Sequence, residues 1–217
     1  MKKITIYKLR KVAYLALKNS IRLHQDSVLL YKHKSYPSAR QLSILAMEEL
    51  GKAKELENYY FQLSGGGMQF DPDEEEKYFR LFYSHPWKEG AAIFREMMDF
   101  SPKYIELVEK SSLEIEKQRS TYVGMDRIKG KVNLDGRIRS PFSISESKAK
   151  QQISLMNDIL LEICYFKLSQ NGYFSIEEMD ELIKNSFQKR LRNWKSRSGI
   201  KSKRWLKVWN ERFRKTA

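Results

Sequence analysis

Apolar residues return to one side of a helical wheel from residue 6 to 33: Val12, Leu15, Ala16, Ile21, Leu23, Val28 and Leu29, with no Gly or Pro between them. Ser35 and Pro37 mark a turn and a new helix, from about 38 to 63, because a proline in the first turn gives up no intrahelical hydrogen bond. Gly65-Gly66-Gly67 stops it. Asp71-Pro72-Asp73 followed by Glu74, Glu75 and Glu76 reads as a third start, with acids where the helix macrodipole favours them. That short helix ends near Ser84. Pro86 opens a fourth, to about Phe100, and Ser101-Pro102 a fifth, to about Tyr122. The helical period fails between Gly124 and Ser143. There Lys131 to Leu134, then Asp135-Gly136, then Arg137 to Arg139 predict a small β-hairpin over 131–139, since Asp-Gly suits a type I′ turn; a mobile loop is the competing reading. Ser143 and Glu146 form a capping box for a sixth helix, to about Gln170, which Asn171-Gly172 ends. Ser175 and Glu178 cap a seventh that continues towards the C-terminus. Six to seven helices with short connections predict an all-α antiparallel bundle.

Charge divides this bundle in two. The 217 residues carry a net charge of +14, yet from Lys184 to Ala217 there are 13 Lys and Arg against the single acid Glu211. The 183 residues before them hold 28 basic and 26 acidic side chains and are almost neutral. A helical body over 1–183 and a basic arm over 184–217 follow, and the arm is an electrostatic footprint for a polyanion. Phe187, Trp194, Trp205, Trp209 and Phe213 are interleaved with its cations, a pattern suited to stacking on bases while neutralising phosphates. Two other readings stay open for the arm: docking on the bundle or on a second subunit, and contact with an anionic membrane surface. The longest apolar run near the N-terminus, Val12 to Leu17, is too short for a signal peptide or a membrane span, so a soluble cytoplasmic protein without a membrane partner is expected. The lone Cys164 lies in the apolar stretch Leu160 to Phe166 and reads as a core thiol rather than a nucleophile. No metal motif is visible, and no cofactor is expected.

Candidate chemistry concentrates in Ser35 to Leu56. Ala39, Leu42, Leu45, Ala46, Ala53 and Leu56 share one helical face with Glu49 in its middle, and Glu48 and Lys52 towards one edge. A carboxylate inside an apolar stripe needs a partner. Glu49 is therefore either an internal ion pair or a site carboxylate. His85 precedes Pro86, which disfavours the helical region for it and should set its imidazole at a helix start, as a general acid or base. Lys88 lies in that helix's first turn, where the dipole disfavours a cation, so a compensating anion such as a phosphate or Glu49 is expected nearby. His24 and His33 read as ordinary residues of the first helix.

Tyr36, Ala39 and Leu42, leading into Glu48-Glu49-Leu50-Gly51-Lys52, resemble the signature of the AbiV-type abortive-infection proteins of the HEPN superfamily. His85-Pro86-Trp87-Lys88 resembles a second block of that family. Lys117-Gln118-Arg119-Ser120-Thr121-Tyr122-Val123-Gly124 resembles a third, with Gly124 where the family has Asp. HEPN proteins also resemble one another in an Arg four to six residues before a His, and Arg80 stands in that relation to His85, although Leu81 follows it where a polar residue is usual. The resemblance implies a helical HEPN-like bundle, a homodimer, and a metal-independent ribonuclease that arrests translation after phage infection. By analogy, a phage-encoded activator would release it. In that picture His85 transfers protons, Arg80, Lys88, Lys52 or Arg119 stabilises phosphate, Glu49 orients a cation or the His, and Tyr122 donates a hydrogen bond. RNA or the ribosome would contact Arg119 and, in the arm, Lys189, Arg190, Arg192, Lys195, Arg197, Lys203 and Arg204. The competing class is a non-catalytic module that blocks translation by binding RNA, the ribosome or a phage protein. A structural partner in a toxin–antitoxin pair is a third.

Overall fold

The computed structural model describes residues 4–64, 71–93, 112–125, 127–128, 131–169 and 181–196. Helix α1 (Ile6–Lys32) and helix α2 (Tyr36–Ser64) form a long antiparallel pair. Thr5 caps α1 by accepting from the Lys8 amide at 3.3 Å. After α1 the chain turns at Lys34, whose φ of 61° is left-handed, and the amides of Lys34 and Ser35 satisfy the carbonyls of Tyr31 and Leu30. Helix α3 (Pro72–Leu81) begins as its sequence predicts: Asp71 accepts from Asp73 and Glu74, and Glu74 closes the capping box. Helix α4 (His85–Ile93) and helix α5 (Ser112–Arg119) cross α2. Helix α6 (Glu146–Ser169) and helix α7 (Asn185–Asn193) complete the described bundle. The architecture is all-α, as expected. The stretches 94–111, 170–180 and 197–217 lie outside the described residues, and with them the expected end of the fourth helix, the start of the fifth, the Ser175 cap and most of the basic arm; the fifth, expected to about Tyr122, ends at Arg119.

Three local expectations change. The hairpin exists, but its register differs from the predicted 131–139. Strand β1 (Gly124–Met125) pairs with β4 (Ile138–Arg139), and β2 (Arg127–Ile128) pairs with β3 (Lys131–Val132). Strand β3 therefore runs back antiparallel along β2. Asn133 to Gly136 makes a local turn inside the returning strand, with the Gly136 amide on the Asn133 carbonyl at 3.0 Å. That bond puts Leu134 and Asp135 at the centre of the turn, and Asp135 lacks the positive φ of a type I′ turn, so the expected Asp-Gly turn is replaced by one shifted a residue earlier. Second, α6 is capped by Ser145, which accepts from Lys148 at 3.4 Å, while the Ser143 hydroxyl donates to the Ser140 carbonyl. Third, His85 is the first residue of α4 and is not extended ahead of it. Pro86 sits in the first turn, where no amide is required, and the ladder starts with the Lys88 amide on the Ser84 carbonyl.

Helix α2 is the centre of the molecule, touched by α1, α4, α5 and α6. Ser20 of α1 donates to the Ala46 carbonyl at 2.7 Å, and Ser43 of α2 to the Gln152 carbonyl of α6 at 3.1 Å. With neighbours on several sides, α2 buries Ser43, Ile44, Met47, Leu50, Ala53 and Leu56 and leaves Leu42, Leu45 and Glu49 half-buried. Of the stripe around Glu49, Ala39, Ala46, Ala53 and Leu56 are buried while Glu49 itself is partly exposed, so that face is one buried side of α2 among several. Gly51 marks where α4 passes closest: a Cβ there would stand 1.8 Å from the Lys88 carbonyl oxygen. Lys54 adds a second tie, donating to the Ala92 carbonyl at 2.7 Å. Helix α7, from the basic segment, lies on α6. Phe187 and Leu191 join the main core, Asn157 donates to the Leu191 carbonyl at 3.1 Å, and the Trp194 indole donates to Ser154 at 2.8 Å. Cys164 and His24 are buried nearby. Burial pushes the Cys164 thiol up to about 12 and His24 down to about 4, so both are neutral near pH 7. Among the described residues, no helix is long and apolar enough to cross a membrane.

Candidate functional site

Where α2, α4 and α5 meet, one carboxylate collects three cationic or titratable groups. Glu48, with its side chain 3% exposed, receives Lys117 of α5 at 2.8 Å on one oxygen. On the other it meets His85 Nδ1 at 2.7 Å and Lys88 Nζ at 3.1 Å, both from α4. Glu114, one turn before Lys117, pairs with that lysine and lies 3.8 Å from His85 Nδ1. Helical spacing explains the convergence: His85 and Lys88 are three apart on α4, as are Glu114 and Lys117 on α5, so each pair shares a face. Gly51, one turn after Glu48, lets α4 approach closely enough for contact.

Burial alone would raise the Glu48 pKa, but the hydrogen bonds from Lys117 and His85 and the charge of Lys88 outweigh it and hold the carboxyl below its ordinary value. Lys117 is held above its ordinary value against its own burial, by Glu114 and Glu48. Glu89, one turn after His85, is the opposite case. It is fully buried and neither oxygen finds a hydrogen-bond partner among the described residues. Burial first, then the charge of Glu48, pushes it up to about 8. A carboxylic acid that keeps its proton at neutral pH therefore sits behind an ionised one.

The imidazole of His85 is the exposed end of this cluster, with 41% of its side chain in solvent. Its Nδ1 lies 2.7 Å from Glu48 and 3.1 Å from Lys117 Nζ, and it cannot both donate to the first and accept from the second. Glu48 is nearer, and Lys117 already has two carboxylates, which argues for a proton on Nδ1 donated to Glu48. Nε2 is then the basic nitrogen. A carboxylate that fixes the tautomer of a histidine in this way prepares it for proton transfer. Glu48, His85 and Glu114 also present ligand atoms within 4.8 Å of one another, a spacing that a divalent cation could bridge. A metal there would have to displace the ammonium groups of Lys88 and Lys117 from the same oxygens.

Of the residues singled out from the sequence, His85 and Lys88 meet here, and the anion expected beside Lys88 is Glu48. Glu49 and Lys52 pair with each other at 2.6 Å, half-buried on another side of α2. Arg80 pairs with Glu76 on the exposed face of α3. Tyr122 and Arg119 line a concavity between α5 and the hairpin. Lys189, Arg190, Arg192 and Lys195 are exposed on and just after α7, and Arg197, Lys203 and Arg204 fall outside the described residues. Sequence reasoning passed over Glu48, Glu89 and Glu114 as functional residues. For Glu48 the usable signal was its place in Glu48-Glu49-Leu50-Gly51-Lys52; for Glu114 it was the three-residue spacing to Lys117. Glu89 gave none.

The AbiV family model, of HEPN type, matches residues 8–162. The chain belongs to the AbiV family. That span runs from α1 into α6, takes in every member of the Glu48 cluster, and stops before α7. AbiV proteins are abortive-infection proteins, so the chain is a phage-defence protein. No curated protein and no solved structure matched it.

Proposed function

We propose that this AbiV protein is a metal-independent ribonuclease, with His85 as its proton-transfer group, which arrests translation in the cytoplasm of an infected cell. The observation that carries the reading is the half-exposed His85 ring held through Nδ1 by the buried Glu48. Cleavage of RNA by its own 2′-hydroxyl needs a base for that proton, an acid for the leaving oxygen, and positive charge at the phosphorane. His85 Nε2 is suited to the first or second task, and Lys88 and Lys117 supply local positive charge. One described histidine per site leaves the other proton-transfer role open, which supports a homodimer in which a second copy completes the machinery. The exposed cations of α7 supply affinity for RNA or the ribosome, and a phage-encoded protein is the expected activator.

A second reading has its own observation. Lys88 and Lys117 are already matched by Glu48 and Glu114, so the cluster is close to electrically neutral. A self-satisfied network of this kind also suits a non-catalytic module that blocks translation by binding RNA, the ribosome or a phage protein. Total RNA from cells expressing the wild type, His85→Ala or Glu48→Gln, with and without phage, separates the two. Discrete fragments that vanish with His85→Ala and diminish with Glu48→Gln are expected. Arrested translation over intact RNA would reject the enzyme and favour the binding module.

A further inference from the structure

A concavity of about 580 Å³ lies between α5 and the hairpin. Gln118, Arg119 and Tyr122 line it from α5 and its exit, and Met125, Val132 and Arg139 from the strands. Three of its properties point to the same ligand. The first is charge. Two guanidinium groups, Arg119 and Arg139, line it with no acid among the described lining residues, and behind the wall Arg119 shares the one carboxylate of Glu116 with Arg40. Arg139 stands near enough that, after burial, the charge of Arg119 lowers its pKa against the pull of Glu116. The second is an unused apolar face. Tyr122 is 68% exposed, and Met125 and Val132 are also left in solvent. Flat or soft apolar groups beside guanidinium groups form a surface on which a nucleobase stacks while its phosphate is held. The third is continuity with the site. Gln118 donates to Glu114 at 2.9 Å, and the other Glu114 oxygen approaches His85 Nδ1. The concavity thus begins one side chain away from the cluster.

We propose that this concavity is a subsite for one nucleotide of single-stranded RNA beside the cleaved bond, with Tyr122 stacked on the base and Arg119, with Arg139, on the phosphate. The proposal rests on the ribonuclease reading for its substrate class. An apolar peptide would cover Tyr122 and Val132 but offer no anion to the guanidinium groups of Arg119 and Arg139 in the lining, which is why RNA is the better occupant.

The test uses the full chain carrying His85→Ala, so that RNA is bound and not cut, and a short fluorescent single-stranded RNA followed by anisotropy. Tyr122 is exposed, so its replacement leaves the fold intact. Tyr122→Ala should weaken binding about tenfold and Tyr122→Trp should restore it, as loss and recovery of a stacking platform require. Arg119→Gln should reduce the salt dependence by about one phosphate contact. Binding within about twofold of the parent for both Tyr122→Ala and Arg119→Gln overturns the proposal. So does unchanged RNA binding combined with lost self-association in sedimentation, which would assign the concavity to a second copy of the chain. The two readings fail separately. If RNA stays uncut by the wild type but Tyr122→Ala still weakens binding, the subsite stands and the ribonuclease falls. If the wild type cuts RNA and Tyr122→Ala cuts and binds like it, only the subsite falls.

Discussion

Glu89 is the side chain whose environment departs furthest from what its type prefers. Fully buried and without a hydrogen-bond partner among the described residues, it is stable there only as the neutral acid. Its folded pKa of about 8 lies above the ordinary carboxylate value of 4.5. Between those two values the folded state holds a proton that the unfolded state has released. Its contribution to stability therefore falls as pH rises from 4.5, and the loss is complete above about 8. Glu89→Gln keeps the neutral shape at every pH. It should match the wild type near pH 4.5 and exceed it above pH 8 by a few kcal/mol on an order-of-magnitude scale. Thermal melts of both proteins across pH 4.5–9 check this, and parallel curves would mean that Glu89 ionises without cost. The neighbours that set the effect are Glu48 and Glu114, which oppose its ionisation, and Lys117 and Lys88, which favour it.

At the scale of elements, the site depends on how closely α4 lies against α2. Gly51 permits that approach, and Ala there would place a Cβ 1.8 Å from backbone that has no rotamer by which to move aside. Ala gains up to about 1 kcal/mol of helix propensity over Gly, whereas forcing extra volume into a packed contact costs about 1–3 kcal/mol. Overpacking should win. Gly51→Ala is expected to lower Tm by several degrees and, because Lys88 itself is displaced, to cut activity further than the stability loss explains. Calorimetry and the RNA-integrity assay on folded protein check both parts. Unchanged Tm would mean that α4 slides freely along α2.

For the whole molecule, the basic segment plays two parts. Phe187 and Leu191 are buried in the main core, and their loss removes about 1.5–3 kcal/mol of burial each and leaves Asn157 without its carbonyl partner. Deleting 184–217 should therefore destabilise the bundle by several kcal/mol, so the loss of function in such a truncation says little about RNA binding. Replacing the exposed Lys189, Arg190 and Arg192 together should leave Tm within a degree or two and lower RNA affinity, with a shallower salt dependence. A melt and an RNA titration of each variant distinguish the parts. Equal RNA affinity in the triple variant would remove α7 from the RNA-contacting surface.

The helical class, most of the described helix starts and the family are legible along the chain. These follow from local rules: the period of α1, the Asp71–Glu74 capping box, the proline of a first turn, and the ordered blocks from Tyr36 to Gly124. His85 was legible too, as a titratable group at the head of a helix beside Lys88. Which carboxylate faces it was decided only by tertiary structure. Glu48 and Glu49 are adjacent in sequence and about 100° apart on the helix, and a wheel finds the buried side only when one side is buried. Helix α2 has neighbours on several sides, so its wheel placed Glu49 on one buried side, where it pairs with Lys52, but could not show that Glu48 on another side meets His85. The hairpin shows the same limit. Asp135-Gly136 marks a turn within a residue of where it forms, but pairing Gly124 with Arg139 depends on contacts that no short window of sequence contains. Glu89 is the extreme case: nothing in its neighbours along the chain marks it, and its proton is kept by burial first and then by carboxylates on two other helices.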